Sequence, residues 1–308
     1  MKKLIFTCLC STLLICTGAF AATQQYDRNV SKFSAIDISG PFSVSLVRGS
    51  ESRVLLSVEE DYVDYVICNV KSSVLSIGLD ERKVPSEVKK KFRGRGTPDP
   101  VFSAVIYVPD LIQTLTMSGK AVLREAAEVF DKSGVSFTLE GNCELRHLSV
   151  DTQNFSLAMQ NKAAADISVS CRESHVETGN AASLKYEEES ENSSFSLSGN
   201  CKLSVSSKTK LMNIASKGNC SMKLSGSGDK AVYNISGTSE VDASGFEVPD
   251  AEVTMQSVCK LTQAAYKSLT VNLSGGSSLY FAGEPSVTIE NIKSATMSRT
   301  GSRNAGRI

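Results

Sequence analysis

Cysteine thiols, two imidazoles and a few clusters of charge are the side chains in this sequence from which chemistry could be built. Six cysteines follow residue 21: Cys68, Cys143, Cys171, Cys201, Cys220 and Cys259. An even number in an exported chain ordinarily announces disulfides. Metal binding finds no support, because no C-x-x-C pair occurs and the two histidines, His147 and His175, fall outside the frame that four of the cysteines share. A Ser-His-Asp or Cys-His nucleophile would have to recruit one of those histidines. His147 lies between Arg146 and Leu148 in a strand-like run, and His175 opens a turn after Arg172-Glu173-Ser174, so both read as surface residues. With no phosphate loop, nucleophile elbow or dinucleotide fingerprint, no catalytic or metal-ligating residue is assigned and no cofactor is called for.

The charges read in the same direction. Enzymes that act on polysaccharides from stacked β turns gather Asp, Lys or Arg on one face, whereas Asp151, Asp166, Glu173 and Glu177 fall in scattered frames and predict a solvated outer surface. Glu187-Glu188-Glu189 with Glu191 reads as a polar loop between two turns. Lys89, Lys90, Lys91, Arg93 and Arg95 crowd a basic stretch that could meet an anionic lipid head group or acidic polysaccharide, or simply guard a sheet edge.

What would position these residues is a repeat. Alternating apolar and polar residues pass through a Gly or Asn at Gly119, Gly141, Asn161, Asn180, Gly199, Gly218, Gly237, Ser257, Gly275 and, in a frayed copy, Lys293. Successive anchors are 22, 20, 19, 19, 19, 19, 20, 18 and 18 residues apart, a spacing that suits one turn of a coil per repeat. Stacked at the inter-strand spacing, ten turns would make a rod of about 45 Å. Gly, or Asn in its place, adopts the positive φ that a sharp corner needs, which makes Gly119, Gly141, Gly199, Gly218, Gly237 and Gly275 structural corners. Two places after each anchor the residue is small: Ala121, Cys143, Ala163, Ala182, Cys201, Cys220, Ser239, Cys259, Ser277 and Ala295. Such a column lines a wall too narrow for Leu or Phe. Four cysteines belong to this ladder, and Cys143 stands three turns from Cys201, ~14 Å at the strand spacing. Buried free thiols packing as small hydrophobes are therefore expected in place of disulfides.

The fold class that follows is all-β: a single-chain parallel β-solenoid of about 18–22 residues per turn with additional N-terminal strands. The expected organisation is a signal peptide over residues 1–21, an N-terminal strand region over 22–104 with a basic loop at 83–100, the solenoid over 105–298, and a basic tail over 299–308. Lys2 and Lys3, the apolar run Leu4 to Ile15 and the small-residue site Ala19-Phe20-Ala21 carry the export expectation; bulky Ile15 argues against lipid attachment at Cys16. Loss of Lys2 and Lys3 leaves a formal charge of about −2, which offers nothing to a nucleic acid, and no later stretch is long and apolar enough for a transmembrane helix.

The run Phe33-Ser34-Ala35-Ile36-Asp37-Ile38-Ser39-Gly40, then Phe42 to Val47 and Val74 to Leu79, resembles the opening of the head GIN domain family, known as auto-transporter adhesins. Val105-Ile106-Tyr107-Val108-Pro109-Asp110-Leu111 with Met117-Ser118-Gly119 is similar to its second landmark, and Gly283-Glu284-Pro285-Ser286-Val287 to its closing turn. The resemblance implies a β-solenoid in envelope proteins of Gram-negative bacteria, with no established enzymatic activity and no agreed site to carry over. No C-terminal run of amphipathic ~10-residue barrel strands accompanies it, so self-translocation is not expected. The leading expectation is a non-catalytic exported protein, located in the periplasm, at the outer-membrane surface or secreted, that contacts an envelope protein or a glycan. An enzyme acting on envelope or dietary polysaccharide and a self-associating scaffold are the alternatives.

Overall fold

The computed structural model describes residues 23–94 and 97–300. The expected leader with Cys16, Arg95 of the basic stretch, and the tail beyond Thr300 lie outside the described residues.

The chain forms a parallel β-solenoid of two walls. Strands of the first wall run up to the positive-φ corner: Thr114–Gly119, Val135–Gly141, Asn154–Asn161 and Glu173–Thr178, then the second halves of Ser183–Gly199, Lys202–Gly218, Ser221–Gly237, Glu240–Met255 and Lys260–Ser274, and finally Ser286–Lys293. The second wall follows the corner, with Val122–Ala126, Glu144–Asp151 and Ala164–Ser170, the first halves of the same long strands, and Ser278–Ala282 and Thr296–Arg299. Pairing is parallel and nearly in register, so that Leu197 faces Ser216 and Ser216 faces Ile235. At the second bend the ladder is barely interrupted. Inward Thr209 is followed by inward Met212, a switch of parity that turns the chain through the corner while most backbone bonds survive.

Corners stack on corners. Positive φ occurs at Gly119, Gly141, Asn161, Asn180, Gly199, Gly218, Gly237, Ser257 and Gly275, and at Ser294 beside the expected Lys293. From Gly119 to Gly237 the amide of the residue after each corner donates to the corner carbonyl one turn back, as Asn142 does to Gly119 at 2.7 Å and Thr238 to Gly218 at 2.7 Å. A Cβ on Gly237 would lie 2.5 Å from that Gly218 carbonyl oxygen, so both conformation and space demand glycine there. Behind the corners, Ala121, Cys143, Ala163, Ala182, Cys201, Cys220, Ser239, Cys259 and Ser277 all point inward and are buried. Phe130, Phe137, Phe155, Tyr186 and Phe195 fill the wider part of the core as an aromatic chain with centroids 5.0–6.2 Å apart.

The coil begins earlier than residue 105. Ala35–Ile38 and Ser43–Arg48 form a complete turn around Gly40 (φ 76°), pairing in parallel with Thr114–Gly119 and Val122–Ala126. The intervening 49–113 segment leaves the coil and returns. Its strands Val74–Leu79 and Phe102–Val108 make one further turn, interrupted at the corner by the basic stretch, on the far side of Ala35–Arg48. Antiparallel strands then close that end: Val66–Lys71 on one wall, and Arg53–Glu59 followed by Thr23–Asn29 on the other. Arg28 spans between the walls, its guanidinium donating to the Cys68 carbonyl at 3.4 Å. The small column is broken in this first turn by Phe42, fully buried and edge-on to Phe102 at 5.5 Å.

Candidate functional site

The outer side of the second wall carries two depressions that meet. The larger, about 640 Å³, runs across successive turns from Glu128 and Lys132 through Asp151, Ser168, Glu187 and Ser206 to Gly226 and Ser227. The smaller, about 450 Å³, continues it past Asp229 and Glu247 to Tyr266. Glu189, Lys208 and Ser227 line both. The concavity follows from sequence, because the outward column Ser149, Ser168, Glu187, Ser206, Ser225 is largely serine while longer side chains stand beside it. At one end Glu128, Phe130 and Lys132 line it; at the other, Tyr266 is 60% exposed.

The long charged residues on the rim pair with one another across turns. Lys132 reaches Asp151 at 2.7 Å, Lys208 reaches Glu189 at 2.8 Å and Lys210 reaches Glu191 at 2.7 Å. Hydrogen bonding to the lysines holds Glu189 and Glu191 below the ordinary carboxylate range and Lys132, Lys208 and Lys210 above theirs. Asp151, Ser170, Glu189 and Lys208 occupy one outward column, in register on adjacent turns. Asp151 and Glu189 are thus two turns apart with Ser170 between them, while Asp166 belongs with His147 (3.8 Å) and Lys185 (3.2 Å), and Glu173 and Glu177 lie on the first wall.

Glu188 is the residue that sequence reasoning missed. Glu187-Glu188-Glu189 is not a loop but part of the strand Ser183–Gly199, and alternation sends its middle carboxylate inward while its neighbours face solvent. Glu188 is 7% exposed. Ser207 Oγ donates to its Oε1 at 2.8 Å and its Oε2 has no partner; nearby, the Ser174 and Tyr186 hydroxyls share a hydrogen bond of 2.8 Å. Burial pushes the Glu188 carboxyl up, against the opposing pull of the Ser193, Ser207 and Ser174 hydroxyls. The signal was available in the repeat: 19 residues before and twice 19 before, the same frame holds inward Val169 and Val150.

The other residues singled out by sequence are dispersed. Both histidines are surface residues; His147 sits at a bulge with φ 43°, and His175 lies within the strand Glu173–Thr178 instead of opening a turn, 3.1 Å from Glu177. The basic stretch contains the helix Ser86–Lys91 and folds back on the chain: Lys91 pairs with Asp61 at 2.8 Å, Lys89 donates to the Glu81 carbonyl at 2.6 Å, and Phe92 packs against Tyr62 at 5.5 Å. That leaves Lys90 and Arg93 as its outward cations among the described residues, far in sequence from the grooved wall. Burial raises the Cys143 thiol to about 11 and the Cys171 thiol to about 12, the latter also through Glu188 and Glu173. Cys201 and Cys220 interact across one turn, and that contact together with burial raises the Cys201 thiol. No group of three metal-ligating side chains converges among the described residues.

The family model described as "Putative auto-transporter adhesin, head GIN domain" matches residues 32–285, and the chain belongs to that family. Solved structures similar to this chain include a putative adhesin from Parabacteroides merdae, 14% identical, covering 90% of this chain and 96% of that one at a TM-score of 0.49. A putative lipid binding protein from Parabacteroides distasonis is 16% identical, with 90% and 96% covered and a TM-score of 0.48. A putative adhesin from the same organism is 17% identical, with 91% and 98% covered and a TM-score of 0.44. No curated protein matches the chain. No helix among the described residues is long and apolar enough to cross a membrane.

Proposed function

We propose that this protein is a non-catalytic, exported interaction module of the cell envelope that contacts neutral glycan chains along the grooved outer side of its second wall. The observation that carries this reading is the continuity of the two depressions through Glu189, Lys208 and Ser227, ending at exposed Tyr266. A long groove of serine hydroxyls offers donors and acceptors at the strand spacing, and an aromatic ring at its end offers an apolar face for a sugar. Paired rim charges with a surplus of acids repel an anionic polymer, which favours a neutral one. Membership of an adhesin-like family agrees with this reading.

The polysaccharide-enzyme alternative requires two carboxyl groups flanking a scissile bond, one of them held protonated as the general acid. Glu188, whose carboxyl is pushed up, faces inward, and Glu187 and Glu189 face outward, so the sheet stands between them. Binding to a glycan array, followed by the same array with Tyr266→Ala, tests the proposal. Retention of neutral glycans that falls at least several-fold in the variant is expected. Silence on every glycan, together with capture of a single strong protein partner from envelope extracts, would sink it.

A further inference from the structure

The two ends of the coil are built differently. At the first end, Arg53–Glu59, Thr23–Asn29 and Val66–Lys71 cover the terminal turn with antiparallel strands, and Arg28 bridges the walls. At the other end Ser286–Lys293 and Thr296–Arg299 are the last strands of the two walls among the described residues, with one sheet neighbour each there. Val287 and Ile289 lie in register with Leu269 and Val271, and Ile292 with Leu273; all three of those preceding residues are fully buried. In the last turn the same column is laid open, with Val287 38%, Ile289 58% and Ile292 40% exposed. A repeat coil needs a polar cap at each end, and bare edge strands are templates for pairing.

We infer that this end is a homotypic docking surface on which a second copy of the chain stacks tail to tail. A two-fold axis through both walls sets Ser286–Lys293 antiparallel to its own copy and continues the buried column across the junction. The edge carries one acid and one base close together, Glu290 and Lys293. Antiparallel apposition brings Glu290 of one copy toward Lys293 of the other, whereas parallel stacking would set like over like. The first end also finishes on strands with a single sheet neighbour, Thr23–Asn29 and Val66–Lys71, but these expose no large hydrophobic side chain, so the association closes at two copies instead of growing into a filament. This interface lies at the end of the rod, apart from the groove, so its failure leaves the glycan reading untouched.

Sedimentation equilibrium of the purified chain over a concentration series tests the inference. A monomer–dimer equilibrium is expected, weakened tenfold or more by Ile289→Glu, an exposed position whose substitution leaves the circular dichroism spectrum unchanged. Glu290→Lys and Lys293→Glu should each weaken the homodimer, and an equimolar mixture of the two variants should form a heterodimer at the original strength. A monomer at every concentration, as when another segment or another protein covers this end, would overturn the inference. So would a dimer indifferent to these substitutions.

Discussion

Ser207 Oγ donates to Glu188 Oε1 across one turn of the coil at 2.8 Å, while Glu188 Oε2, equally enclosed, has no partner. The carboxyl is half satisfied. Burial outweighs the serine hydroxyls, so the folded chain holds the proton more tightly than the unfolded chain, whose ordinary value is 4.5. A group raised on folding contributes stability fully below its unfolded value and loses it as pH rises through the folded value. Glu188→Gln should therefore raise the melting temperature at pH 7 to 8, by on the order of 1–2 kcal/mol of stability, and change little at pH 4. Thermal unfolding of both proteins at the two pH values checks this; an equal effect at both would point to packing instead of charge.

Gly237→Ala should destabilise the coil by about 2–3 kcal/mol, combining a left-handed backbone with a clash against the Gly218 carbonyl oxygen. Gly134→Ala is the control, since φ there is ordinary and an added Cβ would only approach Asn154 at 3.8 Å. It should stay within about 0.5 kcal/mol in urea unfolding.

Cys143 tests the narrow column. Cys143→Ala should cost about 1 kcal/mol and Cys143→Leu, which overpacks it, about 1–3 kcal/mol. A companion measurement is thiol labelling at pH 8. Burial keeps Cys143 and Cys171 protonated, so the native chain should react slowly, while the six cysteines of the described residues should all react in denaturant. Recovery of fewer than three thiols would contradict the free-thiol packing.

Deletion of Thr23–Asn29 should uncover the edge of Arg53–Glu59 and remove the Arg28 bridge. Light scattering should then register association that the intact chain lacks at its first end.

The repeat could be read in the sequence because its constraints are local. A positive φ selects Gly or Asn at most turns from Gly119 on, with Ser257 and Ser294 the exceptions, and a narrow wall selects Ala, Ser or Cys near each corner. Gly40 obeys the first rule and escaped notice for two reasons. Phe42 occupies the small position, held by Phe102, and the inserted segment separates Gly40 from the next corner by far more than one repeat. The turn made by Val74–Leu79 and Phe102–Val108 is hidden for the same reason, since its halves are joined through the basic stretch and recognised only by pairing. Glu188 was obscured by composition: three consecutive glutamates suggest solvent, and only the 19-residue register assigns the middle one to the interior.

The corner-on-corner stacking also decides how the rod bears load. Its interstrand hydrogen bonds run along the long axis, so tension drawn through the chain from either end meets them one rung at a time, as a peeling zipper, and never as a block in shear. Each rung that yields releases about 19 residues, on the order of 60 Å of slack, while the remaining rungs keep their register. A molecule holding two surfaces together in moving fluid would lengthen in steps before letting go.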